Sequence, residues 1–331
     1  MFQADVSPFT LCAAPNPPVL WYDKRLLPIE SELDHTVMSK GAISAAISYT
    51  LWGIFPIYFK ALHQVPSEQV VAHRIVWSFL FLISLVAVRR DIPSFKSVVK
   101  PRALLIYLVT GVLLAINWLV YIWAINHGFV VETSLGYFIN PLVSVLLGMI
   151  FLGEKLRRAQ WFPLGLAAAG VIYLAFNYGS LPWIALVLAV TFGLYGLLKK
   201  IAPLGSLQGL TLETAAIFLP ALGYLLFAGL YGTGSFGHSD LLTTLLLVLT
   251  GVVTAVPLLF FAAGARRVPL TTMGLLQYIS PTMQFLIGIL VFGEAFTSAR
   301  LVGFAIIWLA LIIFSSENYL NHRLPERSQS T

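Results

Sequence analysis

From residue 41 onward the chain repeats one pattern: about twenty mostly apolar residues, then a short polar interruption carrying glycine, proline or paired basic residues. A helix needs about 20 such residues, rising about 1.5 Å each, to cross a bilayer core of about 30 Å, so each run predicts one span. The runs lie at roughly 41–62, 68–88, 103–124, 130–152 and 160–177, and then at roughly 181–198, 207–230, 241–264, 269–292 and 299–316. The pattern predicts an all-α polytopic membrane protein of about ten transmembrane helices with mostly short connections.

Composition removes other classes. Of 331 residues, 58% are hydrophobic and 10% charged, against about a quarter charged in a soluble domain, which is too little polar surface to cover a water-soluble fold. A net charge of +6 would suit a nucleic-acid binder in a soluble chain. Here the basic residues sit in short runs between apolar segments, so they read as topology signals and nucleic acid drops out as a partner. The single cysteine, Cys12, leaves no internal disulfide, no CxxC and no Cys/His spacing for zinc. There is no P-loop, no metal-binding His/Glu helix and no nucleophile elbow. The expectation is therefore no cofactor, no metal, no enzyme chemistry and no ATP-driven cycle carried by this chain alone.

Residues 1–37 break the pattern. Pro8, Pro15, Pro17, Pro18 and Pro28 interrupt any helix, acids outnumber bases, and the basic start and apolar run of a secretory signal are missing. The segment is expected to be a disordered extension, with Met38, followed by Ser39-Lys40-Gly41, as an alternative translation start. Lysine and arginine then set the orientation. Seventeen of the 20 lie before the first span, in the alternate connections around 89–102, 155–158, 199–200 and 266–267, or after the last span. Arg300 is alone in the opposite connections, while Lys60 and Arg74 lie within or at the edge of spans. Both termini are expected in the cytoplasm, in a multi-pass protein of the cell's inner (plasma) membrane, with residues 317–331 as a cytoplasmic tail.

Sliding the chain against itself until Gly53 falls on Gly193 also aligns Lys60 with Lys200, and Thr110-Gly111-Val112 with Thr250-Gly251-Val252. The same offset, without a gap, aligns Ala115 with Ala255, Pro141 with Pro281, and Gly153-Glu154 with Gly293-Glu294. Proline, glycine, lysine and glutamate falling together at one offset point to a duplicated unit, with repeats at 38–177 and 181–316. Five spans per unit is an odd number, so the second repeat enters the membrane from the opposite side. Inverted repeats are typical of secondary transporters, because halves related by an axis in the membrane plane can expose one site alternately to each side.

The run Asn117-Trp118-x-x-Tyr121-Ile122-Trp123-Ala124-x-Asn126, then Ser134-Leu135-Gly136-Tyr137-Phe138-Ile139-Asn140-Pro141 and Gly153-Glu154, resembles the RarD-type permeases of the EamA branch of the drug/metabolite transporters. Trp52-Gly53, Tyr58-Phe59-Lys60, His73-Arg74, Trp77-Ser78 and Gln277-Tyr278-Ile279-Ser280-Pro281-Thr282 add to the likeness, which spans roughly residues 38–320. The resemblance implies a ten-helix EamA-like inverted-repeat fold, cytoplasmic termini and a central cavity, in a family whose name is linked to chloramphenicol sensitivity. It implies no defined solute.

Ionisable groups inside spans cost about 2.5–3.5 kcal/mol each on insertion scales and persist mainly where they face protein or water. His73, Arg74, Glu132 and Glu213, with Lys60 at a span edge, are therefore candidates for a charge gate or coupling site; the repeat offset places Glu213 opposite His73. The plainer reading is a snorkelling edge residue or a fixed salt bridge. Glu132 is expected to pair with Arg74 or Lys60 at the outer edge, and Lys200 stands near Glu213 at the inner one. Pro141 and Pro281 each remove a backbone hydrogen bond near the middle of a span, and matched helix breaks point to a transporter site. Asn117, Tyr137, Asn140, Gln277 and Tyr278 are the candidate polar contacts of a mostly apolar substrate cavity, with helix packing as the plainer alternative. Gly111/Ala115 and Gly251/Ala255 read as packing pairs.

The sequence thus predicts a permease moving a small organic solute, drug or metabolite by alternating access, its partners being that solute and the lipid bilayer. A coupling ion such as a proton, which Glu132 and Glu213 are placed to carry, and a homodimer are left open. The alternative is a membrane receptor or regulatory partner that keeps a transporter-like fold without cycling.

Overall fold

In lipid every backbone N–H and C=O must find a partner within the protein, and a helix achieves that within one segment. The computed structural model describes residues 35–89, 101–127, 129–178, 182–293 and 298–328, and the expected extension falls almost wholly outside them. The described residues form helices and no strand. Helix α1 is His35–Lys60, α2 Ser67–Val88, α3 Pro101–Asn126 and α4 Val130–Leu152. A 3-10 turn at Arg158–Gln160 leads into α5, Trp161–Tyr178. Then come α6 (Trp183–Ile201), α7 (Ser206–Leu230), α8 (Leu241–Ala265), α9 (Leu270–Leu276), α10 (Ile279–Leu290) and α11 (Ser298–Ser328).

Eight helices among the described residues, α1 to α8, are long and apolar enough to cross a membrane. The expected run at 269–292 is divided into α9 and α10. Pro281 has no N–H to give the carbonyl of Gln277, and that carbonyl accepts from Ser280 N at 3.1 Å instead, a tighter turn. The expected run at 299–316 lies within α11, whose apolar part, Leu301–Phe314, is shorter than a span. Pro141 behaves differently: α4 runs through it unbroken. A Cβ placed on Gly274 would stand 2.7 Å from the Pro141 carbonyl oxygen, so α9 lies tight against α4 at that point.

Helix ends follow local chemistry. Gly153 (φ 66°) and Gly293 (φ 63°), which occupy one position of the repeat, both take the left-handed conformation that ends a helix and suits glycine. Glu154, next to the first, accepts from the backbone N–H groups of Leu270 at 2.6 Å and Thr271 at 2.9 Å, satisfying donors that a helix start leaves open. Asp240 caps α8 through Thr243 N, and those hydrogen bonds hold its carboxyl below the usual carboxylate range.

Helix α2 packs against α7 and α8, α3 against α6 and α7, α4 against α6, and α5 against α11. Side chains stitch these contacts: Ser48 Oγ donates to the Pro257 carbonyl at 2.8 Å, Ser78 Oγ to the Gly251 carbonyl at 3.2 Å, and Gln284 Nε2 to the Trp52 carbonyl at 3.1 Å. Such bonds between helices matter because lipid supplies no hydrophobic drive between them. The outward faces keep large apolar residues exposed, Leu219, Leu226 and Leu230 on α7 among them, as lipid contact requires.

Candidate functional site

Where α1, α2, α3, α4, α6, α10 and the α9–α10 break converge, the helices leave a cavity of about 50 Å³, room for roughly three to five waters at ~10–15 Å³ each. Tyr49, Trp52 and Phe55 line it from α1, Trp118 and Tyr121 from α3, and Phe192 from α6. The rings lock one another: Trp52 meets Phe192 edge-on at 5.4 Å, and Tyr121 meets Tyr137 edge-on at 5.5 Å. Polar groups enter at few points: Arg74 on α2, Asn117 on α3, Tyr137 and Asn140 on α4, Gln277 at the break, and Ser280 and Gln284 on α10.

Asn117 is buried on the α3 face that meets α6, and its Nδ2 donates to the Leu188 carbonyl at 3.0 Å and Thr191 Oγ1 at 2.9 Å. Asn140 is 2% exposed and its Oδ1 has no hydrogen-bond partner, which is costly for a buried acceptor. Arg74 is 3% exposed. Its Nε donates to Thr254 Oγ1 of α8 at 3.0 Å, and its guanidinium lies over the Trp118 ring at 4.4 Å and the Phe59 ring at 4.9 Å.

Of the five expected contact residues, the structure brings Asn117, Tyr137, Asn140 and Gln277 to the cavity wall. Tyr278 points elsewhere: it packs with Phe138, Val171 and Ile307, and its hydroxyl donates to the Phe138 carbonyl at 3.3 Å. Residues 277 and 278 are neighbours in a helical turn and so diverge by about 100°, and only one faces the cavity.

The charged candidates separate. Arg74 reaches the cavity. His73, beside it, faces the other way: its Nδ1 accepts from Trp77 Nε1 at 3.2 Å, its ring lies 5.1 Å from that of Phe236, and its buried Nε2 has no partner. Lys60 is exposed and its ammonium sits 3.7 Å from the centre of the Phe292 ring. The Glu132 side chain lies outside the described residues, so the expected outer pair does too. Glu213, fully buried, does not pair with Lys200. Its Oε1 accepts from Lys199 Nζ at 2.8 Å and its Oε2 from the Tyr195 hydroxyl at 3.3 Å. Lys200 instead donates to the Val268 carbonyl at 2.6 Å and stands 4.0 Å from Glu154. Consecutive lysines on a helix point about 100° apart, and Lys199 has the buried direction.

Sequence reasoning missed most of the aromatic wall, Lys199, and Gln284. Trp118 and Tyr121 stood in the family-like run, and Phe192 is the repeat counterpart of Trp52, so the repeat register was an available signal. Nothing in the sequence distinguished Lys199 from a basic residue at a membrane edge.

Comparison with known proteins agrees with this architecture. Residues 39–176 match the EamA-like transporter family. The chain is 50% identical to "Uncharacterized transporter YojE" of Bacillus subtilis (strain 168), over 86% of this chain and 96% of that one. It is 46% identical to "Protein RarD" of Streptomyces exfoliatus (81% and 85% covered) and 41% identical to "Protein RarD" of Escherichia coli (strain K12) (85% and 96% covered). A crystal structure covering 83% of this chain and 98% of its own superposes with a TM-score of 0.63 at 17% identity, a likeness of fold alone. With this identity carried over most of its length, the chain belongs to the RarD-type permeases of the EamA transporter family, as a multi-pass membrane protein.

Proposed function

We propose that the chain is a secondary transporter that carries a small organic solute across the inner membrane by alternating access. On this reading it has two five-helix repeats of opposite orientation, 38–177 and 181–316, and cytoplasmic termini. The observation that carries it is that the cavity is lined by matched positions of both repeats. Trp52 and Phe192, Tyr137 and Gln277, and Asn140 and Ser280 are each a pair at one repeat position, and all six line it. Helix contacts obey the same exchange. A Cβ on Gly53 would meet Met283, and one on Gly193 would meet Val143, each at 2.7 Å. The repeat offset carries Gly53 to Gly193 and Val143 to Met283, so it converts one contact into the other. Phe138 meets its own counterpart Tyr278, with ring centres 6.3 Å apart. A two-fold axis through the cavity accounts for all three, and rocking about such an axis opens a central site to each side in turn.

Glu213 fits a brace better than a gate on this reading, because it is enclosed by Lys199 and Tyr195 and does not line the cavity. Purified protein in liposomes is expected to move labelled organic solutes down a gradient, or against one with an imposed ion gradient, without ATP. Protein-free liposomes give the reference, and no protein-dependent flux across a broad metabolite panel would overturn the proposal.

Topology can be tested separately. With Cys12 replaced by serine, single cysteines at the exposed positions Gln64 and Ser239 are expected to react with an impermeant maleimide on intact cells. A cysteine at exposed Ala159 reacts only once the membrane is opened. Labelling of Ala159→Cys on intact cells sinks the orientation.

A further inference from the structure

Resting on the reading of the cavity as the transport site, we propose that the solute is an organic anion: a carboxylate on a flat apolar body that also carries a hydrogen-bond donor. Arg74 is its anion subsite.

A buried cation in a membrane protein is retained when it pairs with an acid or serves a ligand. Among the described residues no carboxylate is paired with Arg74, and the cavity wall contains no Asp or Glu. The described acids near the helix core are committed elsewhere, Glu213 to Lys199 and Glu154 to the start of α9. The guanidinium is held in place on two sides, by Thr254 at Nε and by the Trp118 face. A guanidinium carries five N–H donors in a planar fork, and among the described residues Thr254 takes the Nε one alone. A fixed planar fork facing a cavity is the geometry that binds a carboxylate through two parallel hydrogen bonds.

Two further features narrow the class. The unpaired Oδ1 of Asn140 requires a donor; should the amide be turned, the unpaired atom requires an acceptor, which a carboxylate also supplies. The ring-lined wall, with Trp52, Trp118, Tyr121 and Phe192, has the chemistry to stack a flat apolar body, which the cavity of about 50 Å³ admits once the helices part. A cationic amine would face Arg74 with no acid among the described wall residues to balance it, so like-charge repulsion disfavours amines.

The test uses indole-3-acetate, indole-3-acetamide and tryptamine, which share a ring and an N–H donor but differ in charge, together with benzoate and 4-hydroxyphenylacetate and their amides. Binding to the purified full-length protein is read by ligand-induced shift of the unfolding midpoint and by displacement of radiolabelled indole-3-acetate. Carboxylates are expected to bind at least about tenfold more tightly than their amides, with tryptamine weakest. Arg74→Gln is expected to weaken carboxylate binding about 100-fold and to erase the preference over the amide, while Arg74→Lys retains part of it. Should Arg74→Gln not fold, the charge preference of the parent and of Arg74→Lys decides.

The proposal is overturned if amides or tryptamine bind as well as the acids, or if no carboxylate in the panel binds. A carboxylate response that emerges only in Glu132→Gln overturns it as well, since Arg74 would then be neutralised by the protein itself. Flux separates this from the transport reading. Protein-dependent movement of neutral or cationic solutes but not of carboxylates rejects the anion subsite and leaves transport standing. Absence of all flux rejects transport, and the binding series still decides the role of Arg74.

Discussion

Lys199→Met is expected to lower the amount of folded protein in the membrane at least about tenfold, and adding Glu213→Leu is expected to restore most of it. The two side chains are 3% and 0% exposed and 2.8 Å apart. Removing one partner of such a pair leaves an uncompensated charge in a low-dielectric interior, at a cost of about 3–5 kcal/mol, whereas replacing both by apolar groups is often neutral. A loss of about 1.4 kcal/mol already shifts an equilibrium tenfold, so the single variant should fall well below parental abundance. Glu213→Gln should behave like Lys199→Met, because the ammonium is then the stranded charge. Lys200→Met should cost less, about 1.5–3 kcal/mol, since it forfeits a charged hydrogen bond to the Val268 carbonyl between α8 and α9 and a 4.0 Å approach to Glu154, which keeps its two backbone donors. Membrane abundance and the unfolding midpoint of detergent extracts measure all four. Normal abundance of both single variants together with a shifted pH dependence of flux would instead make Glu213 a coupling group.

Gly251→Val is expected to be as damaging by a different mechanism. A Cβ at Gly251 would stand 2.6 Å from the Trp77 carbonyl oxygen and from its Cβ, and would press on its carbonyl carbon, so α2 and α8 meet backbone to backbone. A flexible side chain can swing aside, but two helix backbones cannot. Overpacking usually costs about 1–3 kcal/mol, and more where backbone must shift. Parting α2 from α8 would also break the bonds of Ser78 to Gly251 and of Arg74 to Thr254. Gly111→Val should act alike, its Cβ falling 2.7 Å from the Glu213 carbonyl oxygen. Gly223→Ala on α7 is the control. Nothing lies within 4 Å of its added Cβ, and the expected change is nil or a gain of about 0.5–1 kcal/mol from removing a helix glycine. Equal unfolding midpoints for Gly251→Val and Gly223→Ala would show that the helices separate without penalty.

The apolar runs and their lengths follow from local chemistry, so α1 to α8 are legible in the chain: about twenty apolar residues in lipid have no alternative to a helix. The match of the chain to itself at one offset is legible in the sequence too, and glycine keeps its places in it where backbone conformation or close approach requires it. Gly153 and Gly293 show it with left-handed φ, and Gly111 and Gly251 with contacts that admit no side chain. The break at Gln277-Tyr278 was half legible. Proline names the disturbed turn, but Pro141 and Pro281 occupy equivalent positions and only the second divides its helix.

Which buried polar residue faces which neighbour was decided elsewhere. His73 and Arg74, Lys199 and Lys200, and Gln277 and Tyr278 are adjacent pairs whose members point about 100° apart on a helix. Within a span that is apolar all round, no local pattern says which direction holds protein. Only the packing of α2 against α8 turns Arg74 into the cavity and His73 toward Phe236, and only the approach of α6 to α7 gives Glu213 to Lys199. The sequence by itself determined that the chain is a bundle of membrane helices with titratable groups inside it. Their roles came from tertiary structure, because in lipid the rotation of each helix is set by contacts with other helices, and those contacts join residues far apart in the chain.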